Sequence, residues 1–347
     1  MSTVDVEEVL SSRELPIIDV RSPGEFQRGH IPGSHSVPLF DDAERAEIGL
    51  LYKQQGREPA VRRGIEIASC KVDCLFNNIK VAARVSRFAV HCWRGGMRSR
   101  AIAWLCADCG LDPVVLEGGY KAFRRQAHHC FQQRREIILL AGPTGTGKTK
   151  LLQSLREAGQ QVIDLEGIAG HRGSVFGGVP GLEQPTVEQF ENDLFLQWRE
   201  LDPGEPVWIE GESQRIGKVL IPADVWQQMS QAPVVYVDAN RQDRIEFLIN
   251  EYGDLPADEL SASAPRNRKR LGALRPQAAL EAMVREDWPS HRDTSHEYYD
   301  KSYAKALQKR PPKSVHKIDL AEPGDPGAVE DLVSAGQELM DERSRLV

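Results

Sequence analysis

The chain has 347 residues, enough for two domains, with 44 Lys+Arg against 51 Asp+Glu and a formal net charge of -7. Hydrophobic residues make up 40% and charged residues 27%, an ordinary soluble composition. No apolar run approaches the ~20 residues of a membrane span, and the acidic N-terminus lacks the apolar core of a signal peptide, so a cytoplasmic, membrane-free monomer is expected.

The charge is uneven. The chain is acidic overall, yet residues 51–100 hold eleven basic and three acidic side chains, the best candidate for a local RNA-binding patch. The six cysteines, Cys70, Cys74, Cys92, Cys106, Cys109 and Cys130, all lie in the first 130 residues. A disulfide framework is not expected in a large chain without an export signal. The spacings Cys70-x3-Cys74 and Cys106-x2-Cys109 raise a zinc site, but Cys106 and Cys109 sit in an apolar helical pattern, so no metal site is assigned.

In chain order, Leu15–Arg21 reads as a short buried strand. Ser22 then caps a helix with Pro23 at its first position and Glu25 three residues on, a capping box. Residues 41–87 read as a long, charged, mostly helical stretch. Phe88–Cys92 is a strand, Arg94-Gly95-Gly96 a loop, Ser99–Cys109 a helix closed by Gly110, and Val114–Leu116 a strand ended by Gly118-Gly119. Residues 120–135 form a basic amphipathic helix. A new buried strand, Glu136–Gly142, runs into Pro143–Thr149 and a helix over Lys150–Ala158. Further strands fit Gln161–Leu165, Pro206–Glu210 and Val234–Asp238. Strands alternating with helices predict an α/β fold with a parallel sheet in each of two domains, residues 1–130 and 131–347. Ala257–Arg270 reads as loop and then basic, and the acidic tail from Ala321 as peripheral and helical.

Two segments carry chemistry. In the first, Cys92 ends a strand, a glycine-bearing loop follows, and Arg98 stands where a helix begins. Backbone N–H groups and the helix dipole converge in such a loop, favouring an anion and a thiolate. Arg98 adds a fork for the oxygens of an oxyanion. The segments Ile18–Ser22, Glu25-Phe26, Gly29–Ser34 and Leu116–Gly119 resemble the rhodanese family. That resemblance implies a rhodanese-like parallel-sheet domain in which Cys92 carries a chalcogen as persulfide or perselenide. The Cys-x5-Arg spacing is one residue longer than in typical sulfurtransferases and equals that of related phosphatases and arsenate reductases, so transferase and phosphatase both stay open on the loop alone.

The second segment, Gly142-Pro-Thr-Gly145-Thr-Gly147-Lys148-Thr149, matches G-x-x-x-x-G-K-T between a strand and a helix. It predicts a P-loop NTPase-like α/β domain in which N–H groups cradle a diphosphate, Lys148 meets the terminal phosphate and the Thr149 hydroxyl is placed for Mg²⁺. The partner carboxylate departs from the NTPase pattern. Glu210 ends a strand where Asp is usual, and Asp164 and Glu166 compete with it, which argues against ATP hydrolysis.

Rhodanese and P-loop segments in one chain resemble the tRNA 2-selenouridine synthase family. So do Tyr52–Gly56, Asp164–Gly167, His171–Ser174, Glu210–Ser213, Arg215–Gly217 and Lys269–Gly272. The resemblance implies that the C2 sulfur of a wobble 5-substituted 2-thiouridine (tRNA position 34) is replaced by selenium from selenophosphate. The route runs through S-geranylation by geranyl diphosphate, and a selenophosphate supply enzyme would be a partner. It places Cys92 and Arg98 at the selenium step and Gly142, Gly145, Gly147, Lys148 and Thr149 on the diphosphate. A sulfurtransferase coupled to a nucleotide-binding module is the alternative. Candidate RNA contacts are Arg62-Arg63 with Lys71, Lys80, Arg84 and Arg87; Arg124-Arg125 with Arg134-Arg135; and Arg266, Arg268, Lys269, Arg270 and Arg275. Trp93, Tyr120 and Trp208 are candidate shelves for a flipped base. His171, Arg172 and Ser174 are candidates for the P-loop ligand, and His291, His296, Tyr298 and Tyr299 read as helix surface. The scheme requires a thiol within reach of solvent and a glycine turn with room for a ligand.

Overall fold

In a computed structural model, residues 2–12, 14–171, 183–252, 311 and 314–345 are described. The basic group at 266–275, the stretch 257–272, Arg172, Gly173 and Ser174, and the His291–Tyr299 region lie outside the described residues. The chain divides into two compact units, Met1–Cys130 with Glu191–Leu196, and Phe131–Phe190 with Gln197–Val347.

The first unit is built on five strands: β1 (Thr3–Val4), β2 (Ile17–Asp19), β3 (His35–Ser36), β4 (Arg87–His91) and β5 (Asp112–Leu116). They run in the order β1-β5-β4-β2-β3, and every pairing is parallel. The continuous apolar runs Ile17-Ile18 and Phe88-Ala89-Val90 mark strands buried on both faces, as parallel sheets require. Helix α1 (Val6–Ser11) follows β1, and α2 (Pro23–Arg28) follows β2. The Ser22–Glu25 capping box that starts α2 forms as expected. The charged stretch resolves into α3 (Asp42–Gln55), α4 (Arg57–Ser69) and α5 (Val72–Ala83). Helix α6 (Met97–Asp108) starts two residues before Ser99, and α7 (Gly119–Gln132) follows β5. Ile18, Val90, Phe88, Ile79, Ile102 and Cys106 share one core, each large side chain contributing about 1.5–3 kcal/mol by leaving water. Chain order reverses about β4, whose neighbours are β2 on one side and β5 on the other. In open α/β sheets a ligand crevice forms past the C-terminal ends of strands at such a point, and Cys92 stands there.

The second unit repeats the plan. Strands β6 (Ile137–Ala141), β7 (Gln161–Ile163), β8 (Val207–Glu210), β11 (Val234–Asp238) and β12 (Val315–Asp319) pair in parallel in the order β12-β11-β6-β8-β7. A short antiparallel ribbon, β9 (Arg215–Ile216) with β10 (Val219–Leu220), stands apart. The helices are α8 (Lys148–Glu157), α9 (Leu165–Ile168), α10 (Val187–Arg199, whose middle falls with the first unit), α11 (Ala223–Ser230), α12 (Arg241–Tyr252) and α13 (Val329–Ser344). Here β6 is the strand at which the order reverses, and the P-loop leaves its C-terminal end.

The tail from Ala321 is not peripheral. Leu332, Ala335 and Leu339 of α13 join the second core with Ile138, Leu140, Leu151 and Trp208. Gly336 lets the helix lie on Trp208, since a Cβ there would come within 2.7 Å of the indole. The apolar stripe is sparse and set among acidic residues, so composition hides it.

Candidate active sites

The first site follows from a tight crossing of two glycine turns. Gly119, at φ 60°, brings its Cα so close to the loop that a Cβ would meet Cys92 O at 2.3 Å and Gly95 N at 2.4 Å. Tyr120 and Lys121 donate their N–H groups to the carbonyls of Cys92 and Trp93. The loop so pinned curls around the sulfur. The Gly96 N–H donates to Cys92 Sγ at 3.3 Å, and the fully buried Ser99 hydroxyl lies 3.3 Å from it. Burial pushes the Cys92 thiol up. The Ser99 hydroxyl, the N–H groups of Ser99 and Arg94, and the Arg98 charge outweigh it and hold the thiol below its usual range.

Two expectations change here. Cys92 is only 4% exposed, so the thiol is the floor of a closed cradle and not an open nucleophile. The Arg98 fork is already occupied: Nη1 and Nη2 donate to Glu25 Oε2 and Oε1 at 2.8 and 3.4 Å. Burial opposes ionisation of Glu25, but Arg98 outweighs it and keeps the carboxyl below its usual range. Ser99 and Glu25 are the residues sequence reasoning missed. The signal for Ser99 was its place one residue after Arg98. Glu25 lies 73 residues from Arg98, and nothing local connects them.

Beneath the loop lies a buried polar layer. Asp19 Oδ2 accepts from Arg21 Nη2 at 2.6 Å, and Arg21 also donates to Gly29 O at 2.8 Å. The Arg21 guanidinium stacks 3.8 Å from the Tyr120 ring centroid. Tyr120 is therefore a fully buried support, not a shelf for a base. His91, also fully buried, has its pKa lowered by burial and faces Asp19 at 3.7 Å. Trp208 is likewise corrected: at 1% exposure it lies in the second core under α13. Trp93, at 39%, remains at the surface. Cys106 packs in the first core, its thiol pushed up to about 11 by burial and Cys109, whereas Cys70 and Cys74 are exposed.

The second site is a P-loop in form. Gly145 and Gly147 take φ 86° and 75°, values that favour glycine. At Gly142 a Cβ would strike Val237 O at 2.3 Å, and at Gly147 it would strike Gly324 N at 2.4 Å. Thr146 Oγ1 closes the turn on Pro143 O at 2.8 Å. Helix α8 starts at Lys148, two residues before the expected start, and Thr149 is exposed. Lys148 Nζ donates to Gly142 O at 2.9 Å and Pro143 O at 3.3 Å, which folds it over its own loop.

Carboxylates crowd this lysine. Glu210, 2% exposed at the end of β8, accepts from the Glu166 N–H. Burial, then the charges of Asp164 and Glu166, push Glu210 well above the usual carboxylate range. Glu166 and Glu212 share a hydrogen bond, and burial raises both, with Lys148 opposing. Such a group holds a proton in place of full ionisation. His171 follows α9, its N–H on Glu166 O at 3.0 Å.

Comparisons with known proteins agree with both halves. A rhodanese-like domain model matches residues 2–126, and a model described as the tRNA 2-selenouridine synthase AAA domain matches residues 135–269. Curated proteins described as tRNA 2-selenouridine synthases are similar. That of Nitrosomonas eutropha is 37% identical over 70% of this chain and 64% of its own length. That of Hahella chejuensis is 34% identical over 88% and 89%, and that of Hydrogenovibrio crunogenus 33% over 93% and 96%. The chain thus spans just under two thirds of the first relative and nearly all of the other two. With both domain models matched in order, the chain belongs to the tRNA 2-selenouridine synthase family.

Proposed function

We propose that this chain replaces the C2 sulfur of a wobble 2-thiouridine in tRNA with selenium. The observation that carries the reading is the Cys92 cradle, a thiol held below its usual range by converging donors, in the same chain as a P-loop. The chemistry explains why both are needed. Hydrosulfide leaves poorly from a delocalised thiocarbonyl. Attack of the thione sulfur on C1 of geranyl diphosphate forms a C–S bond and releases diphosphate. C2 is then a better electrophile: the selenium of selenophosphate adds to it, the C2–S bond breaks and the geranyl thiol leaves with a proton from water, and water then attacks phosphorus, breaking the Se–P bond and releasing phosphate.

The P-loop residues Gly142, Gly145, Gly147, Lys148 and Thr149 take the diphosphate in this reading. Thr149 is the residue whose hydroxyl would help to hold a Mg²⁺, which would supply charge neutralisation for the leaving diphosphate; among the described residues no group of three His, Cys, Asp or Glu side chains is disposed to hold a metal. The buried, proton-holding Glu210 favours diphosphate binding over ATP hydrolysis. Cys92 serves the selenium step, with the loop amides on the phosphate end of selenophosphate. Arg98 joins them on release from Glu25.

Burial of Cys92 sets a condition: the loop must admit the donor. Alkylation of Cys92 by a small reagent near neutral pH checks this, and complete resistance contradicts its role. The whole reading is tested by incubating thiolated tRNA with geranyl diphosphate and then selenophosphate, with mass analysis of nucleosides at each stage. S-geranylated and then selenated uridine is expected; phosphatase turnover with unmodified RNA would favour the Cys-x5-Arg phosphatase reading instead.

A further inference from the structure

Some of the basic residues that the sequence singles out are paired where they are described. Arg63 pairs with Glu47 and Glu66, Lys71 with Glu44, Arg87 with Asp112, Arg124 with Glu191 and Arg134 with Glu136. Lys80, Arg84 and Arg125 of the same groups are exposed and make no ion pair with a described residue, so charge alone does not single out one of these groups.

A different face of the first unit has the opposite character. Met97, Arg100, Ala101 and Trp104 stand at helical spacing on the exposed side of α6. Trp104 is 64% exposed and Met97 51%. Arg57 reaches this face, its Nη2 3.8 Å from Met97 Sδ. Trp93 and Arg94, both exposed, precede α6 in the loop directly after Cys92. Arg57, Arg94 and Arg100 form no ion pair with any described residue. From Trp93 through Ala107 the sequence contains no Asp or Glu. Large apolar side chains exposed together mark an interaction site. Arginines set between them, with no acid to answer them, select a polyanion with flat apolar faces.

We propose that this face binds an unpaired stretch of RNA, its bases stacking on Trp93 and Trp104 and its phosphates taken by Arg57, Arg94 and Arg100. Unpaired loops are what RNA-binding proteins read by stacking on aromatic rings and guanidinium planes. The face begins with Trp93, the residue after Cys92, so a base held there is presented to the Cys92 loop. The inference rests on the proposed tRNA substrate and says where that substrate is held.

The test is titration of the full chain with an anticodon-arm hairpin carrying 2-thiouridine. Trp104→Ala should weaken binding roughly tenfold, as removal of one stacked base does, and Trp104→Phe should restore most of it. Arg94→Glu with Arg100→Glu should weaken binding further and lower the salt slope by about 1.4, or ~0.7 for each phosphate that is no longer neutralised. Arg62→Glu, at an exposed position in the first basic group, should stay within about twofold. Unchanged melting temperatures show that the variants are folded. Equal binding by wild type, Trp104→Ala and the double variant overturns the surface, and so does an Arg62→Glu loss as large as theirs. A wild-type protein that binds no hairpin overturns the tRNA reading itself.

Discussion

The two loops share a backbone plan and differ in the sign of what surrounds it. Each leaves the C-terminal end of the strand at which its parallel sheet reverses order, and each runs into a helix. Around Cys92 the polar atoms are donors, and they hold an acid below its usual range. Around Lys148 the neighbours are carboxylates, and burial with mutual repulsion holds them above theirs. A strand–loop–helix turn offers only a nest of N–H groups; the side chains around it, Ser99 and Arg98 at one site and Glu166, Glu210 and Glu212 at the other, decide whether its acid is held below or above its usual range. The Cys92 cradle holds a buried thiol among hydrogen-bond donors, and its loop must open for a donor to reach it. The P-loop holds a cation over its carbonyls and protons on its acids, an arrangement that an entering diphosphate would reorganise.

That contrast can be broken from either side. The largest effect is expected beneath the first loop, where Asp19→Ala leaves the Arg21 guanidinium buried without its carboxylate. Loss of a buried partner costs about 3–5 kcal/mol, so the first unit should melt at a clearly lower temperature; an unchanged melt contradicts the layer's role. Lys148→Ala should reduce geranylation about 100-fold or more while leaving Cys92 alkylation alone, if the lysine acts on the diphosphate as proposed. Geranylation at the wild-type rate would remove the P-loop from that step.

Smaller effects sharpen the contrast. Ser99→Ala removes the largest of the donors that lower the Cys92 thiol. The alkylation–pH profile should move upward, and alkylation on its acidic limb should slow roughly tenfold, about one pH unit of thiolate. An unmoved profile would assign the lowered thiol to the backbone N–H groups and the Arg98 charge instead. Glu212→Gln addresses the other loop. The raised carboxyls stabilise the folded unit below the usual carboxylate range, and that contribution is lost as pH rises through their higher folded values. Wild type should therefore lose stability as pH rises from the usual carboxylate range to the Glu166 value of about 8. Glu212→Gln should flatten the loss, raising the alkaline melting temperature by a few degrees; parallel wild-type and variant curves would contradict the shared proton.

Both loops were legible in the sequence because their glycines and end residues sit at fixed spacing, and spacing survives without tertiary information. The alternating strands were legible for the same reason, as unbroken apolar runs such as Ile137–Leu140. What stayed hidden depends on distant neighbours. The Arg98–Glu25 pair joins elements 73 residues apart. Trp208 and Tyr120 look like stacking residues until α13 covers one and Arg21 sits on the other. Helix α10 buries Phe190, Leu194, Phe195 and Trp198, yet polar residues fill the spaces between and mask the stripe. Charge counted along the chain also does not reveal that Glu47, Glu44 and Asp112 pair with Arg63, Lys71 and Arg87 of the first basic group.

The central claim is that one chain divides two successive steps between a diphosphate loop and a thiol loop. Cys92→Ser tests it most directly, with thiolated tRNA, geranyl diphosphate and selenophosphate supplied together and the wobble nucleoside followed by mass. The division predicts that S-geranyl-2-thiouridine accumulates at the wild-type rate and no 2-selenouridine appears. Full-rate selenation by Cys92→Ser, or loss of geranylation along with it in a protein that melts normally, would contradict the account.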